Sequence, residues 1–333
     1  MPPLDGVRIV DLTRLLPGAY ATLVLANLGA EVIKIEEPRR GDTMRTLGAA
    51  YFDALNRGKK SVALDLKSPD DRRVLDALLA TADVAVDSFR PSTAKRLRVD
   101  ADTLRPKHPR LICASMIGFP RNGARAEQPA HDINYQALAG LLARGATRAP
   151  RADVASFAPN SSTDAPVMPG PLVADVGAAM QTTIEILAAL VERQRTGVGR
   201  AIDVPLSEAA RAWTLFPSTR DFESACYTLY ETADGAWLAL GALEEKFWTA
   251  FCHRLGRPDF VPLQHARQFD EIRAVMRTKT RDEWLAWFDG VDTCLTPVVE
   301  RSAEASRFGA SHAPAVGEHT GAVLDDLRRR GLL

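Results

Sequence analysis

The chain has 333 residues, 46% hydrophobic and 25% charged, which is the composition of a globular protein with room for one large and one smaller domain. Lys plus Arg and Asp plus Glu both total 42, so the charge balance gives no reason to expect nucleic acid or an anionic membrane as the main partner. The sequence shows no signal-peptide pattern, no stretch long enough to span a bilayer and no CxxC pair among four scattered cysteines, so we expect a cytoplasmic protein with buried free thiols.

Strand and helix patterns alternate through the first two hundred residues. Short apolar runs predict the strands, and longer amphipathic stretches, one of them closed by Gly29, predict the helices between them. This alternation predicts a parallel, doubly wound α/β sheet. The predicted strands are Val7–Leu12, Glu31–Glu36, Ser61–Leu66, Val84–Phe89 and Leu111–Met116, with helices at Ala19–Ala30 and Pro69–Ala82.

The carboxyl ends of these strands are where such a sheet usually binds its ligand. The first strand is followed by "TRLLPG" and not by GxGxxG, which disfavours NAD binding. Basic residues follow several strands, in "TRLLPG", "EPRRGDTMR", "NRGKK" and at Arg90. They predict an electropositive rim for a phosphorylated ligand, although ordinary surface charge explains them equally well.

One of only six histidines stands in the segment "PAHDINYQAL". Asp132 is a good helix N-cap and the spacing of Tyr135, Leu138 and Leu141 is helical, so the segment by itself favours a structural role for His131 at the start of a helix. A catalytic histidine is the alternative.

Asp175 lies just before a predicted amphipathic helix whose apolar face includes Ile184, Leu187 and Leu190. It is expected to cap that helix, or to place a carboxylate or a developing oxyanion at the helix's positive end. Capping is the commoner use. The preceding stretch, Arg144–Gly170, is rich in Ala, Pro, Ser and Arg and predicts a long functional or mobile loop.

Several of these segments, in this order, resemble blocks of the family III coenzyme A transferases (CaiB/BaiF-like), and most closely their α-methylacyl-CoA racemase branch. The resemblance covers residue 4 to about 300 and returns at "GEHTGAVLDDL". The blocks are "LDGVRIVDLTRLLPGAYATLVLANLGAEVIKIEEPRRGD", "NRGKKSVALDLK", "DSFRPS", "HDINYQALAGLL", "LVADVGAAM", "AALVERQRTGVGRAIDV" and "YETADGAWLALGALEEKFW".

The resemblance implies roles for particular residues. Transferases of the family use an aspartate at the position of Asp175 as a nucleophile, whereas racemase-like members pair it with the histidine of "HDINY", here His131, and Glu244 matches a residue that completes the racemase site. Coenzyme A would lie along the basic rim, with Tyr135 beside the pantetheine arm, as part of the substrate and with no metal or redox cofactor required. The rim candidates are Arg14, Lys34, Arg39, Arg45, Lys60 and Arg90.

The implied chemistry fits these residue types. An α-proton of a thioester is weakly acidic, so its removal needs a tuned base and donors for the enolate oxygen. One base cannot readily serve both faces of the α-carbon. We therefore expect His131 to act on one face and Asp175, supported by Glu244, on the other, with the helix start at Asp175 helping to hold the enolate.

The resemblance also implies an architecture. A large Rossmann-like CoA-binding domain is expected over residues 1–221, a small α+β domain over 222–300 and a return to the large domain over 301–333, in an interlocked homodimer whose site is built from both chains.

Three functions stay open on the sequence. The first is a racemase or epimerase of a 2-methylacyl-CoA, the second a CoA transferase that needs only Asp175, and the third a repurposed, non-catalytic paralogue that binds an acyl thioester. The third is suggested by Ala130, where relatives carry glycine, and by two stretches shorter than in relatives, before "YETADG" and after "TPVVE". The sequence specifies neither the acyl chain, nor the pathway, nor whether the thioester is on CoA or on a carrier protein.

Overall fold

The computed structural model describes residues 1–142, 168–217, 219–299 and 312–333. These fall into two compact units, one made of residues 1–142, 168–215 and 312–333 and the other of the described residues from 216 to 299. The sequence-based division at residue 222 stays a prediction. Most of the predicted loop Arg144–Gly170 lies outside the described residues.

The first unit is built on a six-stranded parallel sheet in the order β3-β2-β1-β4-β5-β6. Val10 in the first strand stands opposite Ile33 on one side and Ala85 on the other. The strands read as continuous apolar runs because helices cover both faces of the sheet. The doubly wound α/β fold is confirmed. The strands are β1 Arg8–Leu12, β2 Glu31–Glu36, β3 Lys60–Ala63, β4 Val84–Asp87, β5 Ile112–Ile117 and β6 Ala201–Pro205.

Ten helices of this unit are described, and they cover the sheet in two apolar layers. The C-terminal helix returns to the sheet, because the N–H of His319 donates to the carbonyl of Ser61 at 2.9 Å. The helices are α1 Leu15–Asn27, α2 Met44–Leu47, α3 Ala49–Asn56, α4 Pro69–Thr81, α5 Pro91–Arg96, α6 Ala101–Leu104, α7 Asp132–Ala139, α8 Val173–Thr196, α9 Leu206–Ala212 and, near the C-terminus, Thr320–Arg329.

Helix α8 alone among the described helices is long and apolar enough to cross a membrane by length and composition, with a window of mean hydropathy 1.3. The expectation that no stretch reaches this length was therefore wrong. The helix packs against α1, α7, α9 and the sheet of its own unit, with Ala178, Ala179 and Ile186 fully buried. These contacts are those of a core helix.

The second unit has a three-stranded antiparallel sheet covered by short helices around a core of Tyr230, Trp248 and Phe251. Its helix at Arg281–Phe288 begins with a capping box, in which the Thr280 hydroxyl and the Glu283 carboxylate satisfy each other's backbone N–H. The elements are β7 Tyr227–Glu231, β8 Trp237–Gly241 and β9 Leu295–Pro297, with α10 Glu245–Leu255, α11 Asp270–Met276 and α12 Arg281–Phe288.

The free cysteines only partly follow the expectation from sequence. Cys113, Cys226 and Cys252 are buried, as expected, but Cys294 is exposed in the second unit.

Candidate active site

A cavity of about 1210 Å³ lies at the carboxyl ends of β1, β2, β3 and β4. Its walls combine apolar, basic and acidic side chains, the acidic ones being Glu36, Glu37, Asp42 and Asp65. The apolar and basic parts suit a ligand with a ring and phosphates. The apolar lining is formed by Leu12, Ile35, Leu64, Leu66, Phe89 and Leu97, and the basic lining by Arg14, Arg39, Lys67, Arg72, Arg96 and Arg98.

Buried side chains, in place of glycines, fix the loop between β1 and α1 at the edge of this cavity. The Asp11 carboxylate accepts bonds from the N–H and hydroxyl of Thr13, at 2.9 and 2.6 Å, and Lys34 Nζ donates to the Thr13 carbonyl at 2.9 Å. The N–H of Leu15, a residue held at φ 66°, donates to Asp42 at 3.2 Å. Side chains of Asp11, Lys34 and Asp42 thereby hold the loop backbone at three points.

Three of the predicted rim residues lie at this edge of the sheet. Arg14 and Arg39 are exposed and line the cavity, with the Arg14 guanidinium 5.4 Å from the centre of the Phe89 ring. Arg90 is exposed directly after Phe89, where β4 leads into α5. The buried Asp87 carboxylate holds this turn, because it accepts the Phe89 N–H at 2.9 Å.

The structure contradicts the other three rim predictions. Lys34 is 1% exposed, and its ammonium is ion-paired with Asp42 at 2.9 Å, so it supports the loop from within. The Arg45 guanidinium donates two hydrogen bonds to the Glu36 carboxylate and one to the Pro314 carbonyl. These donors are therefore used within the protein.

Lys60 is the first residue of β3 and pairs with Glu31, the first residue of β2, at 2.5 Å. It therefore stands at the amino end of the strands, the opposite edge of the sheet from the cavity.

The structure adds cations that the sequence reasoning missed. Lys67 follows β3, and Arg96 is the last residue of α5, six residues after Arg90; both side chains are exposed and line the cavity. Within the described residues, neither takes part in an ion pair. Lys67 could have been found, because it follows a predicted strand in the same way as Arg39.

Asp132 directly follows His131 as the first residue of α7, and it binds the backbone of Asp175 in the first turn of α8. His131 is the N-cap of α7 and is exposed, whereas Asp132 is 4% exposed. The Asp132 carboxylate accepts the N–H of Asp175 at 3.0 Å and also a bond from the Gln136 amide, which donates in turn to the Pro171 carbonyl at 3.1 Å. The first turn of α7 is thus fastened to the first turn of α8.

The electrostatics of this junction favour a carboxyl that holds a proton near neutrality. Burial and then the charge of Asp132 raise the pKa of Asp175 to about 7. Tyr135 is buried; burial and the Asp175 charge raise its pKa to about 12, while Arg90 acts to lower it. Tyr135 is therefore an electrostatic neighbour of Asp175 and, separately, of Arg90, which lies in the turn beside the cavity.

Three details of the junction differ from the sequence-based expectations. The N-cap of α7 is His131 and not Asp132, and the N-cap of α8 is Leu172, so Asp175 lies inside the first turn rather than before the helix. Asp175 is therefore no cap. Its N–H is taken by Asp132 and that of Val176 by the Leu172 carbonyl at 3.0 Å, so neither is a donor for an enolate oxygen.

Glu244 belongs to the second unit, where it is the exposed N-cap of α10. Its carbonyl accepts the N–H groups of Phe247 and Trp248 at 3.0 and 3.2 Å. Its part in the site stays a prediction.

Comparison with known proteins supplies the family context. A family model described as CoA-transferase family III matches residues 4–313. The α-methylacyl-CoA racemase of Homo sapiens is 33% identical over 319 residues, covering 89% of this chain and 78% of that protein. The succinyl-CoA:mesaconate CoA-transferase of Haloarcula marismortui is 31% identical over 324 residues, covering 88% and 76%. A CaiB/BaiF family protein from Brucella suis, 24% identical, shares the fold with a TM-score of 0.77 over 98% of this chain and 99% of that one.

Proposed function

The chain belongs to CoA-transferase family III, and on that premise we propose that it is a racemase or epimerase of a 2-methylacyl-CoA or a related acyl thioester. The observation that carries the proposal is the junction of α7 and α8. One hydrogen bond of 3.0 Å ties the residue next to His131 to Asp175, whose pKa is raised to about 7. A histidine next to a site that holds a carboxyl of raised pKa is what two-base proton transfer needs.

In the proposed reaction the His131 imidazole takes the α-proton from one face, and the electron pair of the C–H bond moves to the thioester oxygen as an enolate. Protonated Asp175 then returns a proton to the opposite face. The reverse turnover uses the Asp175 carboxylate as base and the imidazolium as acid, so no net proton is consumed. The protein's own side chains carry the proton in both directions, and CoA enters only as part of the substrate.

For the CoA moiety we propose the cavity at the strand ends. Its apolar walls suit an adenine ring, and its basic side chains suit phosphates, with Arg14, Arg39, Lys67 and Arg96 exposed at its lining. Arg90, beside Phe89 and an electrostatic neighbour of Tyr135, is suited to the path from the cavity to the catalytic pair. Tyr135 presents little surface to a ligand, since it is only 4% exposed.

A CoA transferase is the second candidate, favoured by the similarity to the Haloarcula enzyme. Here the Asp175 carboxylate would attack the thioester carbonyl, with CoA leaving as the thiolate and a mixed anhydride remaining on the protein. The raised pKa of Asp175 also serves this role, because a more basic carboxylate is a better nucleophile. His131 has no necessary part in that reaction.

A homodimer is part of the proposal. Helix α8 leaves an apolar stripe exposed along one face, since residues spaced by four fall on the same side of a helix. The stripe consists of Val176, Met180 and Ile184, which are 41%, 52% and 64% exposed. We propose that a second copy of the chain covers it. Ile184→Glu should convert the dimer to a monomer in sedimentation velocity, and a wild-type monomer at micromolar concentration would contradict this.

Incubation of a panel of 2-methylacyl-CoA thioesters in heavy water separates the candidates. A racemase incorporates deuterium at the α-carbon of both enantiomers, and its Asp175→Asn variant loses exchange of one of them. A transferase gives no α-exchange, but exchanges CoA between acids and yields, with hydroxylamine, a hydroxamate at Asp175. Binding without either activity would support the repurposed paralogue.

A further inference from the structure

The carboxylate of Asp132 has no role in the reaction as proposed above, yet it is among the most deeply placed polar groups at the junction, with 4% of the residue exposed. Both of its oxygens are engaged: one accepts the Asp175 N–H at 3.0 Å and the other a bond from Gln136. Gln136 is itself 3% exposed and reaches the Pro171 carbonyl at 3.1 Å. A buried anion that accepts only neutral donors is costly to desolvate.

We propose that Asp132 is a positioning residue for Asp175: its hydrogen bond fixes the backbone of the first turn of α8, and its negative charge stabilises the protonated form of the Asp175 carboxyl. This inference rests on the proposed racemase function. Leu172, the N-cap of α8, makes no side-chain cap bond, so the Asp132 carboxylate also accepts one of the N–H groups that open this helix.

Two hydrogen bonds fix the geometry at the start of α8. The bond from Asp175 N–H closes a link between residues 43 apart in sequence, and Gln136 and Pro171 close a second link 35 residues long beside it. Two links between the same helix and the segment leading into α8 leave little freedom for the Asp175 backbone. A base held at one position relative to His131 is what a shared α-carbon requires, since a misplacement of 1 Å can reduce a rate about 100-fold.

The negative charge of Asp132 acts on the protonation of Asp175. A carboxyl of ordinary pKa is ionised at neutral pH and is a poor acid for returning a proton, so a two-base site needs a carboxyl that is easily protonated. Burial and the Asp132 charge both act on Asp175 in that direction. Other titratable groups on the helices packed against α8 are His131 and Tyr135 at α7, Tyr20 on α1, and Glu208 and Arg211 on α9, which pair with each other at 3.8 Å. Among the described residues, Asp132 is the charged group that raises the pKa of Asp175.

Asp132→Asn removes the charge and keeps an oxygen for the Asp175 N–H. Its amide nitrogen replaces the oxygen that accepts from Gln136, so the variant also loses that bond. Carbon-13 NMR of protein labelled at the aspartate carboxyl carbons, with Asp175→Asn as the assignment control, reports the protonation of Asp175 without any substrate. We expect the titration midpoint of Asp175 to move to lower pH by roughly one unit in Asp132→Asn. For the enantiomer whose α-proton Asp175 removes, the low-pH limb of α-deuterium exchange should move with it, with KM unchanged.

Asp132→Ala removes the hydrogen bond as well, and should add a loss of kcat of about tenfold or more on top of the shifted limb. Asp203→Asn is the matched control: it removes a carboxylate of the same unit that pairs with Arg121, at 2.5 Å, and should leave the Asp175 titration unchanged. If Asp132→Asn does not fold, Asp132→Ser tests the same point, since its hydroxyl is an uncharged acceptor.

An Asp175 titration that is identical in wild type and in the uncharged variants would overturn the inference. So would a shift of equal size in Asp203→Asn, because the effect would then come from the general field of the protein. Absence of α-exchange in the wild type would instead contradict the proposed function, and the NMR titration would still decide the influence of Asp132.

Discussion

The contact between Gly118 and Tyr135 allows a test of how tightly α7 packs against the end of β5. Gly118 follows β5, and a Cβ atom at this position would lie 2.6 Å from the Tyr135 hydroxyl oxygen, but 3.5 and 3.6 Å from the nearest ring carbons. Ordinary contact begins at 3.4 Å, so Gly118→Ala must displace the hydroxyl by roughly 0.8 Å while the ring itself fits. Because Tyr135 is buried and lies one turn after His131 and Asp132, this displacement reaches the junction.

We expect Gly118→Ala to lower kcat for α-exchange roughly 10- to 100-fold and the free energy of unfolding by about 1–3 kcal/mol. Tyr135→Phe by itself loses one long hydrogen bond, 3.3 Å to the Ala130 carbonyl, and should cost about 1 kcal/mol or less. The double variant has no clashing oxygen and should recover to within about threefold of Tyr135→Phe in rate.

Urea unfolding and exchange kinetics on wild type, Gly118→Ala, Tyr135→Phe and the double variant give the coupling free energy between the two residues directly. The unfolding measurement needs no substrate. A double variant as impaired as Gly118→Ala would refute the reasoning, because the damage would then come from the backbone of residue 118 and not from contact with the hydroxyl.

Further predictions concern the buried charges, the cavity and the pH dependence of stability. Lys59→Met removes the donor to the Ala19 carbonyl, at 2.9 Å, and the charge 3.5 Å from buried Asp11. In urea unfolding, the free energy of unfolding should fall by about 3–5 kcal/mol. The control Lys60→Met, at a half-exposed side chain, should lose less than about 1 kcal/mol. Arg96→Ala should raise KM for CoA thioesters about tenfold at unchanged kcat, whereas Lys60→Ala, at the opposite sheet edge, should leave KM unchanged; equal effects would contradict the cavity assignment. The pKa of Asp175 is raised on folding, so its ionisation destabilises the folded state progressively as pH rises from about 4 to about 7. Asp175→Asn should therefore be more stable than wild type by about 1–3 kcal/mol at pH 8 and no more stable near pH 4, and a constant difference in urea unfolding across this range would contradict the raised pKa.

The sheet was predictable from the sequence because buried parallel strands are short apolar runs, and each of those in the first half of the chain forms a strand near its predicted place. The third strand was predicted to end at Leu66, but it ends at Ala63. The prediction was too long because Leu64 and Leu66 continue the apolar pattern, although they line the cavity instead of extending the strand.

The charged residues were less predictable, because their partners come from distant parts of the fold. Lys34 has the sequence context of a rim cation, and only the return of Asp42 towards the strand reveals that it is buried. Asp132 has the pattern of an N-cap, but its partner Asp175 lies 43 residues away. Arg96 lines the cavity together with residues that follow β1, β2 and β3, and periodicity does not encode this proximity.

The central claim is that two bases work on opposite faces of one α-carbon. The most direct measurement is loss of deuterium from each pure enantiomer of a [2-²H]-2-methylacyl-CoA, followed separately in wild type, His131→Ala and Asp175→Asn. The account predicts that wild type releases deuterium from both enantiomers, and that each variant retains exchange of one enantiomer only, the two variants retaining opposite ones. Loss of exchange from the same enantiomer in both variants, or undiminished exchange of both enantiomers in His131→Ala, would contradict it.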